Sequence, residues 1–93
     1  MSKNPVSCHI LFEGTVQGVG LRYTARHIAR EFGLCGYVKN LASGDVEIEL
    51  EGERSTIQEF IDRIKQDMQG YIRDTRIIWQ EFRGRFSSFE VMF

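Results

Sequence analysis

Asp45-Val-Glu-Ile-Glu-Leu-Glu51 is the most regular alternation in the chain, with Val46, Ile48 and Leu50 on one side and Asp45, Glu47, Glu49 and Glu51 on the other. A two-residue period of this kind is a strand with one apolar and one acidic face. Upstream, Leu34 to Asn40 reads as its partner strand and Leu41-Ala-Ser-Gly44 as a tight connection, so the three pieces form a hairpin. Downstream, Gly52 ends the strand, and Ser55-Thr-Ile-Gln58 has the spacing of a helix capping box. Ile57, Phe60, Ile61, Ile64 and Met68 then fall on one helical stripe, which predicts a helix from about Ser55 to Gln69.

The flanking sequence extends this pattern in both directions. Residues 1–6 are mostly polar, carry the only proline, Pro5, and read as a flexible tail. From Ser7 to Gly14, Cys8, Ile10 and Phe12 alternate with His9, Leu11 and Glu13, a first strand. After a glycine-rich stretch from Gly14 to Gly20, the residues Leu21, Ala25, Ile28, Ala29 and Phe32 make a second helical stripe, stopped by Gly33. Arg76 to Phe82 reads as a fourth strand and Ser88 to Phe93, with Phe89, Val91 and Phe93 on one face, as a short closing strand. The order β-α-β-β-α-β, with right-handed crossovers, predicts an α+β ferredoxin-like sandwich: an antiparallel sheet with two helices on one face.

A chain of 93 residues has room for one domain, spanning 1–93, with a modest core and a site near the surface. Twelve Lys and Arg against thirteen Asp and Glu, a formal net charge of −1, provide no broad basic face for nucleic acid. The apolar runs are far shorter than a membrane span needs, and the polar start has no apolar leader segment, so a cytoplasmic protein is expected. Cys8 and Cys35 lie in separate apolar stretches without Cys-x-x-Cys spacing or paired histidines, so no zinc site is expected; they fall on strands that this topology does not make neighbours, which argues against a disulfide. A ferredoxin-like layout serves enzymes, RNA binders, metal carriers and regulatory modules alike, so function must come from a site.

Gly14-Thr-Val-Gln-Gly-Val-Gly-Leu-Arg22 joins the first strand to the first helix. Its glycines allow backbone N–H groups to converge at a helix N-terminus, a geometry that suits an anion. Arg22 stands in the first helical turn, where a cation is disfavoured unless an anion such as phosphate is bound. The same residues also fit a plain glycine turn with an arginine reaching into solvent, and the spacing alone leaves both open. Asn40, at the end of the second strand, is either a turn-initiating side chain or an amide able to hold a water in line with a phosphoryl group.

Gly14-x-Val16-Gln17-Gly18-Val19-Gly20-x-Arg22, then Gly33-Leu-x-Gly36-Tyr-Val-x-Asn40, then Ser43-Gly-x-Val-Glu47 and Gly52, resembles the acylphosphatase family over about residues 8–52, and the remainder fits that family's fold. The resemblance implies hydrolysis of the carboxyl–phosphate bond of acyl phosphates, with no metal or organic cofactor. It implies that Arg22 binds the phosphate together with the amides of Gln17, Gly18, Val19, Gly20, Leu21 and Arg22, and that Asn40 orients the attacking water. The partners it implies are a small acyl phosphate and inorganic phosphate, as product and competitor. A carboxylate of pKa ~4 leaves without a general acid, so the lack of a triad or metal motif is consistent with this chemistry. A small, nearly neutral domain is most simply a monomer.

Leu21 stands where phenylalanine is commoner in that family, Tyr37 where tryptophan is frequent, and Ser43 where an acidic residue or asparagine often precedes the turn glycine; the C-terminal Met92-Phe93 is also atypical. His9 and His27 have no evident carboxylate partner in sequence, and Glu47, Glu49 and Glu51 read as a solvated face or as partners for basic strands. Arg73, Arg76, Arg83 and Arg85 read as surface charge, and Trp79 as a core or edge aromatic. The alternative to an enzyme is a module that binds phosphate or carbamoyl phosphate without turnover. RNA recognition lacks the basic-aromatic strands it needs, and a copper carrier lacks a thiol pair.

Overall fold

The computed structural model describes residues 4–93. Along the chain run β1 (Pro5–Gly14), α1 (Leu21–Glu31), β2 (Cys35–Asn40), β3 (Val46–Glu53), α2 (Arg54–Asp67), β4 (Ile72–Glu81) and β5 (Phe89–Met92). The strands form one sheet in the order β4-β1-β3-β2-β5. Antiparallel pairing sets Ile10 opposite both Ile48 and Ile77, and Val38 opposite Ile48, so the apolar residues of four strands share one face. Both helices pack on that face: α1 over β2 and β5, α2 over β3 and β1, with the helices touching each other. Phe12, Phe60, Phe89, Ile28 and Leu50 are fully buried between the layers. Burial of each such side chain contributes about 1.5–3 kcal/mol before entropy is counted.

This is the ferredoxin-like α+β arrangement expected, with four differences of detail. Residues 1–6 were expected to be a flexible tail, but Pro5 and Val6 already belong to β1, paired with Glu53 and Gly52; residues 1–3 lie outside the described part. Proline is tolerated there because it is the first residue of its strand. The sheet is mixed rather than wholly antiparallel, since β5 runs parallel to β2, with Val91 beside Val38. The capping box is not formed: α2 starts at Arg54, directly after Glu53, and the Ser55 hydroxyl, already inside the helix, donates to the Glu53 carboxylate at 2.6 Å.

The fourth strand also begins earlier than expected, at Ile72 instead of Arg76. Ile72-Arg-Asp-Thr-Arg76 looks polar because β4 is an edge strand that pairs only with β1. Trp79, on this edge, packs against the core and carries the Arg54 guanidinium 4.1 Å above its ring. Cys8 is buried and Cys35 partly so, both as free thiols. Burial, with the charge of Glu49 added, pushes the Cys8 thiol up to about 12, so it stays protonated and inert at neutral pH.

Candidate active site

The β1–α1 connection is pinned at its start before it curves. Thr15 N–H donates to the Tyr71 carbonyl at 2.9 Å, and the Val16 side chain is buried. Gly18 and Gly20 then take left-handed backbone angles, φ 77° and 82°, on either side of Val19. Alternation of handedness turns successive N–H groups to one side and makes a concave, electropositive nest. Apart from each glycine's chain neighbours, no described residue lies within 4 Å of where a Cβ would stand on either glycine, so the requirement for glycine is conformational. Among the described residues, none accepts a hydrogen bond from the N–H groups of residues 16 to 23. Gly20 caps α1 without a side-chain bond, and the first turn holds no acidic residue, leaving the positive end of the helix uncompensated.

Between this loop and the end of β2 lies a hollow of about 180 Å³, lined by Val16, Gly18, Gly20, Leu21, Arg22, Tyr23 and Asn40. Arg22, one residue into α1, uses one guanidinium N–H on the Met92 carbonyl, at 3.2 Å, and lies with its Cζ 4.8 Å from the centre of the Phe93 ring. Among the described residues no carboxylate pairs with it, so its charge and remaining donors are available. Asn40 is the last residue of β2, opposite Val46, and its parity with Gly36 and Val38 sets it on the helix side of the sheet. Its Oδ1 is buried and accepts no hydrogen bond from any described residue. A buried acceptor without a donor costs about 1–3 kcal/mol, a strain that a bound donor relieves.

Arg22 and Asn40, separated by a whole helix in sequence, thus face the same hollow together with Gly18, Gly20 and Leu21. Gln17 and Val19 support it from behind: Val19 packs on the core, and the Gln17 amide donates to the carbonyls of Leu41 (2.7 Å) and Asp45 (3.0 Å). Those carbonyls belong to the turn just after Asn40, so Gln17 fixes the loop against the strand end that carries the asparagine. Sequence reasoning assigned Gln17 a backbone role only. Its side-chain partners lie 24 and 28 residues away, and no local pattern announces them.

The acidic face of β3 is on the opposite side of the sheet and is not solvated. Glu49 and Glu51 are 7% and 4% exposed, covered by the segment after β4. Arg85 pairs with Glu49 at 2.8 Å, while Glu51 accepts from the N–H groups of Arg85 and Phe86 and from the Ser7 hydroxyl. His9 does have a carboxylate partner: its Nε2–H donates to Glu47 at 3.0 Å, the tautomer that an acceptor-only carboxylate requires. Tyr37 donates to the other Glu47 oxygen, also at 3.0 Å. Burial alone would push the Glu47 carboxyl up, but the bonds from His9 and Tyr37 and the nearby positive charges outweigh it and hold it low. Burial, reinforced by Glu47, pushes the Tyr37 phenol up to about 12. Lying across the sheet from the hollow, the His9–Glu47–Tyr37 group is structural.

Among the described residues no three His, Cys, Asp or Glu side chains are grouped to hold a metal ion. No helix among the described residues is long and apolar enough to cross a membrane. The acylphosphatase family model matches residues 8–91. An acylphosphatase of Archaeoglobus fulgidus is 38% identical over 89 residues, 95% of this chain and 99% of that one. An acylphosphatase of Acaryochloris marina is 36% identical over 92 residues, 99% of each. The crystal structure of acylphosphatase from Bacillus subtilis superposes with a TM-score of 0.88 at 29% identity, covering 95% of this chain and 99% of that one. With the family model spanning nearly the whole chain, relatives of matching length and a common backbone, the chain belongs to the acylphosphatase family.

Proposed function

We propose that the protein hydrolyses the carboxyl–phosphate bond of acyl phosphates without a metal ion, holding the phosphoryl group in the hollow between the glycine loop and Asn40. One observation carries this reading: the Arg22 guanidinium, which has no carboxylate partner among the described residues, and the buried Asn40 Oδ1, which accepts no hydrogen bond from them, face the same small hollow. An anion in that hollow meets a full positive charge, a row of free amides and the positive end of α1. A water donating one proton to Asn40 Oδ1 points its lone pair toward the bound phosphorus.

In the reaction the water oxygen bonds to phosphorus and the bridging P–O bond breaks. The carboxylate departs with the electron pair, and the water's protons are taken up by phosphate oxygens and solvent. A carboxylate of pKa ~4 needs no protonation to leave, so no general acid is required. Charge spreads over the phosphoryl oxygens in a loose transition state, so Arg22 and the loop amides supply electrostatic stabilisation while the protein itself forms no covalent bond. The active unit in this reading is a single-domain monomer working in the cytoplasm, and sedimentation should give the mass of one chain, 10.8 kDa.

The test is hydrolysis of benzoyl phosphate by purified protein in excess EDTA, with inorganic phosphate titrated as competitor. Rapid, chelator-resistant turnover that phosphate suppresses is the expected result. Turnover no faster than the spontaneous rate, from folded protein that still binds phosphate, overturns the enzyme reading in favour of a phosphate-binding module.

A further inference from the structure

The chain carries a formal net charge of −1, so its average field repels a phosphate dianion, yet one flank of α1 beside the hollow is lined with cations. Arg22, Arg26 and Arg30 recur every four residues and so share that flank, each about 6 Å farther along the axis at a rise of 1.5 Å per residue. The flank faces β5: the Arg22 guanidinium donates to the Met92 carbonyl at 3.2 Å, and that of Arg30 to the Phe89 carbonyl at 3.3 Å. Arg30 also stands in the last turn, where a cation complements the helix dipole, so the fold accounts for its place. Arg26 has no such use. Among the described residues it pairs with no carboxylate and donates no side-chain hydrogen bond; its guanidinium lies over the Tyr23 ring, with Cζ 5.3 Å from the ring centre, and Tyr23 lines the hollow.

The other charges on these elements are engaged or turned away. Glu31 meets His27 and Arg63 on the far flank of α1, the Asp45 carboxylate accepts the Ser43 hydroxyl at 3.1 Å, and Lys39, beside Asn40, falls on the opposite face of the sheet. A cation one helical turn beyond Arg22 acts on an anion in the hollow from about 10 Å, too far for a contact and near enough for its field. Resting on the reading of the hollow as a phosphoryl site, we infer that Arg26 is a second cation of that site. It draws the phosphoryl dianion toward Arg22 and the loop amides without touching it, and the Tyr23 ring holds it in place. Because the force acts on the phosphoryl charge, the gain is the same whatever acyl group is attached.

The test measures kcat/KM for benzoyl phosphate and acetyl phosphate, and the Kd of inorganic phosphate by calorimetry, at ionic strengths of about 10 mM and about 1 M, where the Debye length is roughly 30 Å and 3 Å. The proteins are the wild type, Arg26→Gln, Arg26→Lys and Arg30→Gln. At the lower ionic strength Arg26→Gln should lose about two- to fourfold in kcat/KM on both substrates alike, through KM and not kcat, and bind phosphate weaker by the same factor. At the higher ionic strength its difference from the wild type should vanish. Arg26→Lys keeps the charge and should stay close to the wild type, and Arg30→Gln, a turn farther away, should change less than Arg26→Gln. No loss in Arg26→Gln at low ionic strength overturns the inference. A loss that persists at high ionic strength also overturns it, because Arg26 would then act through structure, and so does a loss confined to one substrate. Calorimetry keeps the two readings apart: phosphate binding with this dependence on Arg26 and salt, in a protein that hydrolyses neither substrate, supports the inference and overturns the hydrolase reading.

Discussion

A guanidinium in the first turn of a helix opposes the positive end of the helix dipole, at a cost of about 0.3–1 kcal/mol, and no acidic residue in that turn of α1 offsets it for Arg22. Asn40 Oδ1 is likewise destabilising, buried without a donor among the described residues. Two unfavourable placements facing one hollow are the mark of a site organised for a ligand that the chain alone does not supply. Arg22→Ala should lower kcat/KM for an acyl phosphate by about 10³ or more and weaken phosphate inhibition, as loss of a transition-state arginine does elsewhere. Asn40→Ala should lower kcat by about 10²–10³, the usual cost of one oriented polar group, with phosphate inhibition retained. Because the asparagine oxygen has no partner to lose, the urea midpoint of Asn40→Ala should not fall below that of the wild type. Steady-state kinetics beside denaturant melts separates these effects, and a destabilised Asn40→Ala with normal turnover would contradict them.

The loop and the β2–β3 hairpin work as one element because Gln17 joins them. Gln17→Met keeps the side-chain volume and removes both hydrogen bonds, so stability should drop by about 1 kcal/mol. Turnover should fall by more than that small loss suggests, because Asn40 is then no longer held in register with the loop. Gly18→Ala puts a Cβ on a backbone at φ 77°, which costs about 1–2 kcal/mol although the space beside it is open. The loop should flatten to relieve this strain, and phosphate inhibition should weaken; a normal inhibition constant in Gly18→Ala would mean that the loop amides do not hold phosphate. On the far side of the sheet, Glu51 is the fastening of the segment that follows β4. Glu51→Ala should speed hydrogen exchange at the Arg85 and Phe86 amides while that of the β1–β3 ladder changes less.

For the molecule as a whole, the face of the sheet away from the helices ties stability to pH at both extremes. Glu47 is held below its ordinary value in the fold, so its contribution is present at neutral pH and is lost as pH falls through the folded value, when the carboxylate takes a proton and weakens its bonds to His9 and Tyr37. Tyr37 is raised to about 12 from an ordinary value near 10, so the unfolded chain gives up that proton first. The contribution of Tyr37 is therefore complete below pH ~10 and lost as pH rises toward 12, and buried Cys8 acts in the same direction. Thermal melts should show a fall in Tm between pH 10 and 12 that is smaller in Tyr37→Phe. An identical alkaline fall in the variant would show that Tyr37 is not coupled to folding.

The elements themselves were legible because their signals are local. Val46, Ile48 and Leu50 alternate, Leu21, Ala25, Ile28 and Ala29 recur at helical spacing, and Gly18 and Gly20 mark a backbone that other residues rarely adopt. Such patterns depend on neighbours a few residues apart and survive without the rest of the chain. Ile72 to Thr75 escaped notice because a half-exposed edge strand need not alternate cleanly, and Ser55 misled because Glu53 had already turned the chain into α2. By itself the sequence determined the order of strands and helices, the apolar faces and the composition of the loop. Tertiary structure decided that Gln17 grips the turn after Asn40, that Arg22 leans on Met92 and Phe93, and that Glu49 and Glu51 are covered by Arg85 and its neighbours. Each of those contacts spans at least 24 residues and exists only once strand order and register bring the partners together, so no local period encodes it.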